Sequence, residues 1–240
     1  GNTTIQFSTT MQNGKIPPWW VSHILNGERT QVTIDANVTD PLVGDRSLSL
    51  TQNRTVRTDI LGQFNATETR PVDADRPFVS DPVLYINETR GSWDRVTESE
   101  TAMDIEFDVY NPKPVPYTVT KIGYDTYMND VRVGSGETDR GKIITPGGRE
   151  TIGVRNVIRN QRLDQWWVSH LQRNQNTTMY IDFYLVVEGA GERFRVDLDA
   201  IDYETPIETD IFGNKAEYPT GDGTAASGDP TANSDGTDGG

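Results

Sequence analysis

The two histidines of the chain and four of its five tryptophans lie in one pentapeptide that occurs twice, as Trp19–His23 and as Trp166–His170. An imidazole beside paired indole rings could act in acid–base chemistry, bind a metal ion or stack on a sugar. A metal site needs about three or four ligands, and the sequence has no cysteine and no further histidine to complete one. A Ser-His-Asp arrangement would have to use these same histidines, and the chain has no Gly-x-Ser-x-Gly motif. We therefore expect no enzymatic activity, no metal and no cofactor.

The spacing around the second pentapeptide predicts a short amphipathic helix. Leu163, Trp167 and Leu171 stand four residues apart, which places them on one helix face. In the first copy, Pro17 and Pro18 stand where the first turn of a helix tolerates proline. Each pentapeptide is therefore predicted to lie on one short helix between two strands.

The paired aromatic side chains have two interpretations. As structural anchors they would fasten each helix to a sheet, and each buried indole would remove roughly 150–250 Å² from water. The histidines would then bond locally, to the backbone or to Ser22 and Ser169. A carbohydrate-binding or hydrolytic site would instead need indole rings exposed in a groove. We predict the structural role for Trp19, Trp20, His23, Trp166, Trp167 and His170.

The pentapeptides are part of a longer internal duplication. The second half of the chain aligns with the first at an offset of 147 residues, and Thr58–Gly62 then matches Thr209–Gly213 at an offset of 151. Residues 83–149 have no counterpart in the first copy, so that copy resembles only the C-terminal half of a module. Either its front half was cut away, or it borrows strands from elsewhere.

This duplication and the composition along the chain predict four segments. A partial first repeat covers 1–70, a short polar linker covers 71–82, and a complete module covers 83–218. Residues 219–240 are rich in Gly, Asp and Thr and contain no aromatic residue and no valine, leucine or isoleucine. Such a segment cannot bury enough surface to order itself, so we predict a disordered tail.

Strand patterns dominate the two repeats. Apolar side chains alternate with Asp104, Glu106 and Asp108 over residues 103–109, as in a strand with one buried face and one face in water. The same alternation occurs at 5–11, 32–38, 179–185 and 194–198. The predicted class is mostly β, an antiparallel β-sandwich of the immunoglobulin or fibronectin type III kind, with one short helix in each module.

The charge of the chain limits its partners and its surroundings. Its formal charge is −14, from 36 acidic and 22 basic residues, and only five of the basic residues are lysines. Such a surface repels phosphate backbones, so nucleic acid is not an expected partner. Abundant carboxylates with few lysines favour a protein adapted to high salt, although a soluble acidic protein is the simpler alternative. No apolar run approaches the about 18 residues of a membrane helix. We expect no membrane segment here, and a signal or anchor could lie upstream.

Six Asn-x-Ser/Thr motifs point to export. Chance is one explanation for them, and N-glycosylation of a surface protein is the other. The second explanation predicts an extracellular or cell-surface location. The acceptor asparagines would be Asn2, Asn37, Asn53, Asn65, Asn87 and Asn176.

The stretch around Asn111-Pro112 carries a family resemblance. An alternating strand ends at this dipeptide, the strand Tyr117–Tyr124 follows, and then come a polar hairpin at 128–130 and the turn Pro146–Gly148. This order resembles the WHy domain (water stress and hypersensitive response) of late embryogenesis abundant type 2 proteins. The resemblance covers about 83–213 in full and about 1–66 for the C-terminal half. Acidic, duplicated forms with a Trp-rich helix are similar to those of salt-loving archaea.

The resemblance implies a non-enzymatic role in desiccation or osmotic stress, in which a folded domain protects client proteins. It implies no catalytic residues. Asn111 would cap the turn with its side chain, and Pro112 would fix the exit of the strand. The alternative is a structural or adhesive module of the cell surface, which would bind surface components through exposed strand edges.

Overall fold

The computed structural model of the chain describes residues 12–40, 46–74, 76, 79–138, 141–189, 191–199 and 203–211. The described strands are β1 Arg29–Asp40, β2 Arg46–Arg57, β3 Arg70–Val72, β4 Leu84–Val96, β5 Glu100–Tyr110, β6 Tyr117–Met128, β7 Val131–Thr138, β8 Lys142–Ile144, β9 Arg149–Arg159, β10 Asn176–Gly189, β11 Glu192–Asp197 and β12 Tyr203–Glu208. The described helices are α1 Ile16–Leu25 and α2 Leu163–Gln172, each preceded by one 3₁₀ turn. The predicted tail at 219–240 and the alternating residues 5–11 lie outside the described residues.

The described strands pair antiparallel in two sheets. β1 and β2 form a sheet of their own, and the other ten strands form one sheet in the order β11-β10-β6-β7-β9-β5-β4-β3, with β12 beside β10 and β8 beside β6. β7 and β9 are joined at one ladder position, where Gly134 faces Ile158. The large sheet curls there, so that Phe107 of β5 meets Phe183 of β10 across the core with ring centroids 5.2 Å apart.

This architecture confirms the predicted class, mostly antiparallel β with one short helix in each copy. It differs from the immunoglobulin-like sandwich that we expected. The β7–β9 bridge keeps the two halves in one curled sheet, so two separate facing sheets are not clearly formed. Gly134 permits this close approach, because a Cβ there would lie 2.4 Å from the carbonyl oxygen of Val157.

The alternation in β5 shows how sequence determines these elements. Met103, Ile105 and Phe107 are buried, while Asp104 and Glu106 point into water. The strand ends just before the segment 112–116, whose prolines have no N–H to continue the ladder. β5 therefore ends at the turn that contains Asn111.

Corresponding strands follow both pentapeptides, with β11 inserted between them after the second pentapeptide. After α1 the chain forms β1 and β2, in which Arg29 pairs with Arg57. After α2 it forms β10 and β12, in which Asn176 pairs with Glu208 at the corresponding positions. The helix-to-strand links also correspond, because Gly27-Glu28 and Asn174-Gln175 all have positive φ. We call these two segments the first and second copies.

The segment between the copies is more ordered at its start than a linker. β3 pairs with β4, and Val72 is buried. Residues 71–72 of the predicted linker are therefore part of the large sheet.

Candidate functional site

The two pentapeptides bring α1 and α2 against each other. The ring centroids of Trp19 and Trp167 are 5.4 Å apart, and those of Trp20 and Trp166 are 5.6 Å apart. Trp19 corresponds to Trp166 and Trp20 to Trp167, so exchanging the copies converts one contact into the other. The helices thus pack with an approximate twofold relation, as identical subunits do in a symmetric dimer.

Three of the four indole rings lie in the core. Trp20, Trp166 and Trp167 are each 1% exposed. Trp20 Nε1 donates to Thr101 Oγ1 at 3.1 Å, and the Thr101 hydroxyl donates to Asn160 Oδ1 at 2.9 Å. Trp19 is only partly buried and borders a groove. The buried rings offer no exposed platform for a sugar.

Each histidine joins its helix to the first strand of its own copy and to the residue that directly follows the last strand. His23 Nδ1 lies 2.8 Å from Thr30 Oγ1, and His23 Nε2 lies 2.9 Å from Thr58 Oγ1. His170 makes the matching contacts with Thr177 and Thr209, both at 2.8 Å. We call each set a His–Thr clamp.

These partners differ from the local ones that we expected. The Ser22 hydroxyl donates to the carbonyl oxygen of Trp19, and the Ser169 hydroxyl donates to that of Trp166, each at 2.7 Å. A serine hydroxyl bonded back to its own helix directs its proton away from the imidazole. The duplication of Thr30 as Thr177 was a signal for the true partners.

The surrounding bonds assign the same tautomer to both rings. Thr58 donates its hydroxyl proton to Glu28 Oε2 at 2.8 Å, so Thr58 Oγ1 accepts from His23 Nε2–H. In the second copy, Thr177 Oγ1 accepts from Trp166 Nε1 at 2.8 Å and has its proton left to give to His170 Nδ1. These contacts fit the same neutral tautomer for both imidazoles, with the proton on Nε2.

Glu28 is a buried carboxylate that the sequence reasoning missed. Its Oε2 accepts from Ile60 N at 2.7 Å as well as from Thr58, and its Oε1 accepts from Trp93 Nε1 at 3.0 Å. The corresponding Gln175 accepts from Ile211 N at 2.7 Å. Glu28 thereby ties the first copy to Trp93 on β4. The Thr-Asp-Ile segment, which occurs once in each copy, was the sequence signal for this role. Glu28 binds the backbone of the first occurrence, and Gln175 binds that of the second.

The arrangement is suited to holding elements together. His23 and His170 are 1% and 0% exposed, and both nitrogens of each ring contact threonine hydroxyls. A general base must reach a substrate proton at hydrogen-bond distance, and a buried imidazole with both nitrogens bonded to threonine cannot do so. Across the described part of the chain, no group of three or more His, Cys, Asp and Glu residues is placed to hold a metal ion.

The first His–Thr clamp should make stability depend on pH. Burial lowers the pKa of His23 below its ordinary value, and the Glu28 carboxylate partly opposes this shift. The unfolded chain therefore binds a proton near pH 6.5 that the folded chain does not yet bind. We expect the free energy of unfolding to fall as the pH drops below about 6.5, and to level off below the pKa of the folded state.

Urea unfolding followed by circular dichroism between pH 8 and pH 5 measures this dependence. The matched control is His23→Gln, which removes this titrating group and should reduce the slope of the curve over this interval. Equal pH dependence in both proteins would contradict the assignment.

Asn111 closes the turn after β5. Its Nδ2 donates to the carbonyl oxygens of Val115 and Ile144 at 2.8 and 3.0 Å, and its Oδ1 accepts from Lys113 N at 2.9 Å. The side chain is fully buried, and Pro112 follows it at the strand exit. The carboxamide therefore uses both of its N–H donors and one of its two acceptor lone pairs in these bonds.

The predicted glycosylation sites differ in access. Asn53, Asn65 and Asn176 are exposed. Asn87 is half-buried, with its amide donating to Asp108 Oδ1 at 3.4 Å. Asn2 and the side chain of Asn37 lie outside the described part.

Neither described helix, at ten residues each, has the length and apolar character needed to span a membrane.

Comparisons with known proteins find a family match for one part of the chain. Residues 106–208, which include Asn111 and α2, match the family model described as Late embryogenesis abundant protein. The match supports the late embryogenesis abundant type 2 family for this part of the chain. A comparison with curated proteins finds no match.

Solved structures from two organisms are similar at low identity. A crystal structure of a protein from Archaeoglobus fulgidus is 22% identical, with 52% of this chain and 98% of that chain covered and a TM-score of 0.48. A solution structure of a protein from Arabidopsis thaliana is 14% identical, with 56% and 87% covered and a TM-score of 0.33.

Proposed function

We propose that the protein is a non-enzymatic, stress-protective protein of the late embryogenesis abundant type 2 kind, a tandem WHy-like form from a high-salt organism. It stabilises other macromolecules during desiccation or osmotic stress. The observation that carries this proposal is the match of residues 106–208 to the late embryogenesis abundant family model. The protein acts outside the cell or at its surface.

The charge distribution supports a protective mechanism based on hydration. The chain has a formal charge of −14, and carboxylates such as Asp104 on β5 and Glu98 in the loop before β5 are exposed. Exposed carboxylates hold water and repel one another, so molecules of this kind stay separate at high concentration. Dispersed among client proteins, they keep partly unfolded clients from associating.

Protection of a client during drying tests the proposal. A drying-sensitive enzyme is freeze-dried alone, with this protein, and with an inert acidic protein at equal mass, and its activity is measured after rehydration. We expect more recovered activity with this protein than with the inert one. Equal recovery would contradict the proposal.

A charge variant tests the mechanism within the same assay. The exposed carboxylates chosen for it are those of Glu98, Asp104, Glu192 and Glu204, replaced by Gln, Asn, Gln and Gln. Their side chains point into water, so the fold should persist and the client recovery should decrease. Unchanged recovery would show that protection does not depend on surface charge.

The exposed sequons favour a second candidate, a glycosylated structural or adhesive module of the cell surface. Asn53, Asn65 and Asn176 are accessible to a glycosyltransferase. Intact-mass measurement of the protein isolated from its own cells separates the two functions. Glycans at these positions together with a specific surface partner would favour the adhesive module.

A further inference from the structure

The first copy has an apolar groove at a surface whose counterpart in the second copy is covered. The groove encloses about 560 Å³ and is lined by Ile16, Trp19, Val32, Trp167 and Ile211, with Lys15 at its rim. Trp19 and Val32 are only partly buried, and the groove lies between α1 and β1. We call it the first-copy groove.

A polar depression continues the groove at the start of β1. It encloses about 430 Å³ and is lined by Ser22, Asn26, Arg29, Thr30 and Gln31. Among the described residues, β1 pairs with β2 alone, so its other edge has no described strand. An unpaired strand edge presents N–H and C=O groups to any strand that can approach it.

In the second copy the same apolar surface is covered. Leu163, Trp166 and Met179 correspond to Ile16, Trp19 and Val32, and they are 0%, 1% and 1% exposed. The β6–β7 hairpin lies over them, with β6 paired to β10 in the register that sets Met128 opposite Met179. The apolar groove is therefore the surface on which such a hairpin packs.

The polar depression matches the footprint of that hairpin's turn. Asn129 Nδ2 donates to Ser169 Oγ at 2.9 Å, Asn129 Oδ1 accepts from Thr178 N at 3.1 Å, and Asn129 N donates to Thr178 O at 2.8 Å. Arg173 binds Asp130 Oδ2 at 2.6 Å. The positions of Ser169, Arg173, Asn176, Thr177 and Thr178 correspond to those of all five residues that line the depression.

We propose that the first-copy groove binds a β-hairpin of the β6–β7 kind, supplied by another polypeptide. One strand of the hairpin pairs with the edge of β1 that faces away from β2, and its apolar side chains pack on Trp19 and Val32. Its Asn-Asp turn sits in the polar depression, where the carboxamide bonds Ser22 and the backbone of Gln31.

Charge supports this occupant. Lys15 and Arg29 lie at the rim of the groove and in the depression. These two cations complement an acidic turn residue such as Asp130, which pairs with Arg173 in the second copy. A strand added at an edge gains affinity from main-chain hydrogen bonds and specificity from pockets for alternate side chains.

A peptide of residues 121–136, which spans the β6–β7 turn and contains no tryptophan, is the probe. Added to the full chain, it should bind saturably at one site and protect Trp19 from acrylamide quenching. A peptide with Asn129→Ala should bind more weakly, because it cannot make the carboxamide bonds in the depression.

Two variants of the chain test the strand edge. Gln31→Pro removes the N–H that corresponds to the one bonded by Asn129, and should abolish peptide binding. Gln31→Ala keeps that N–H and should bind as the wild type does. The thermal unfolding of both variants confirms that the fold is intact.

Three results would overturn the proposal. The first is no binding at millimolar peptide, and the second is binding that Gln31→Pro does not weaken. The third is dimerisation of the chain through this edge that the peptide cannot displace, which would assign the groove to a second molecule of the same chain. Analytical ultracentrifugation of the chain with and without peptide distinguishes the third result from the others.

Discussion

Truncation of Trp20 to alanine is expected to lower the free energy of unfolding by about 3–5 kcal/mol, the range for large aromatic residues in cores. The side chain is 1% exposed and contacts Trp166 across the helix pair. Its removal opens a cavity between α1 and α2 and deletes the donor to Thr101. Urea unfolding followed by far-ultraviolet circular dichroism measures the loss.

The control for this prediction is the neighbouring residue. Trp19→Ala removes a ring of the same size that is only partly buried, so its loss should be clearly smaller. Equal losses at the two positions would show that the stabilising effect does not follow the burial of the ring. Trp167→Ala, at the position that corresponds to Trp20, should resemble Trp20→Ala.

The approximate twofold contact also predicts how the copies unfold. Trp19 and Trp20 each meet a tryptophan of the other copy, and Arg54 of β2 pairs with Asp210 at 3.1 Å. Contacts of this extent between two segments favour one cooperative transition. Trp20→Ala should therefore weaken the second copy as well as the first.

Periodicity in the sequence predicted the helices and strands because it reports directly on which side chains share a face. The four-residue spacing of Leu163 and Trp167 gave α2, and the alternation at 103–109 gave β5. Both patterns concern one element at a time. They do not indicate which faces pack together, so the contacts between the tryptophans of the two copies could not be predicted from them.

The partners of the histidines and the curl of the sheet depend on distant contacts. His23 reaches Thr58, which is 35 residues away, and this contact exists only once β1 and β2 have paired. The curl depends on the single bridge at Gly134, where absence of a side chain lets β7 approach β9. A glycine in a strand pattern indicates a close approach without naming the neighbour.

The second large effect is expected at Asn111. Replacement by alanine should lower the free energy of unfolding by about 2–4 kcal/mol, because one buried group left without its partner costs about 1–3 kcal/mol, and two more exposed groups, which water can reach, lose bonds that contribute about 0.5 kcal/mol each. The buried group is the carbonyl oxygen of Ile144, and the more exposed groups are the carbonyl oxygen of Val115 and the N–H of Lys113. Urea unfolding again measures the change.

Two matched variants separate the carboxamide from the turn itself. Asn111→Asp keeps an acceptor for Lys113 N but sets a carboxylate against two carbonyl oxygens, so it should be at least as destabilising as alanine. Pro112→Ala leaves these hydrogen bonds in place and should cost less than about 1 kcal/mol. A tolerated Asn111→Asp would mean that the two donated bonds do not stabilise the turn. The stabilising effect of the Asn111-Pro112 dipeptide would then come from the proline, which restricts the exit of the strand. The relative losses of unfolding free energy in Asn111→Asp and Pro112→Ala decide between these two explanations.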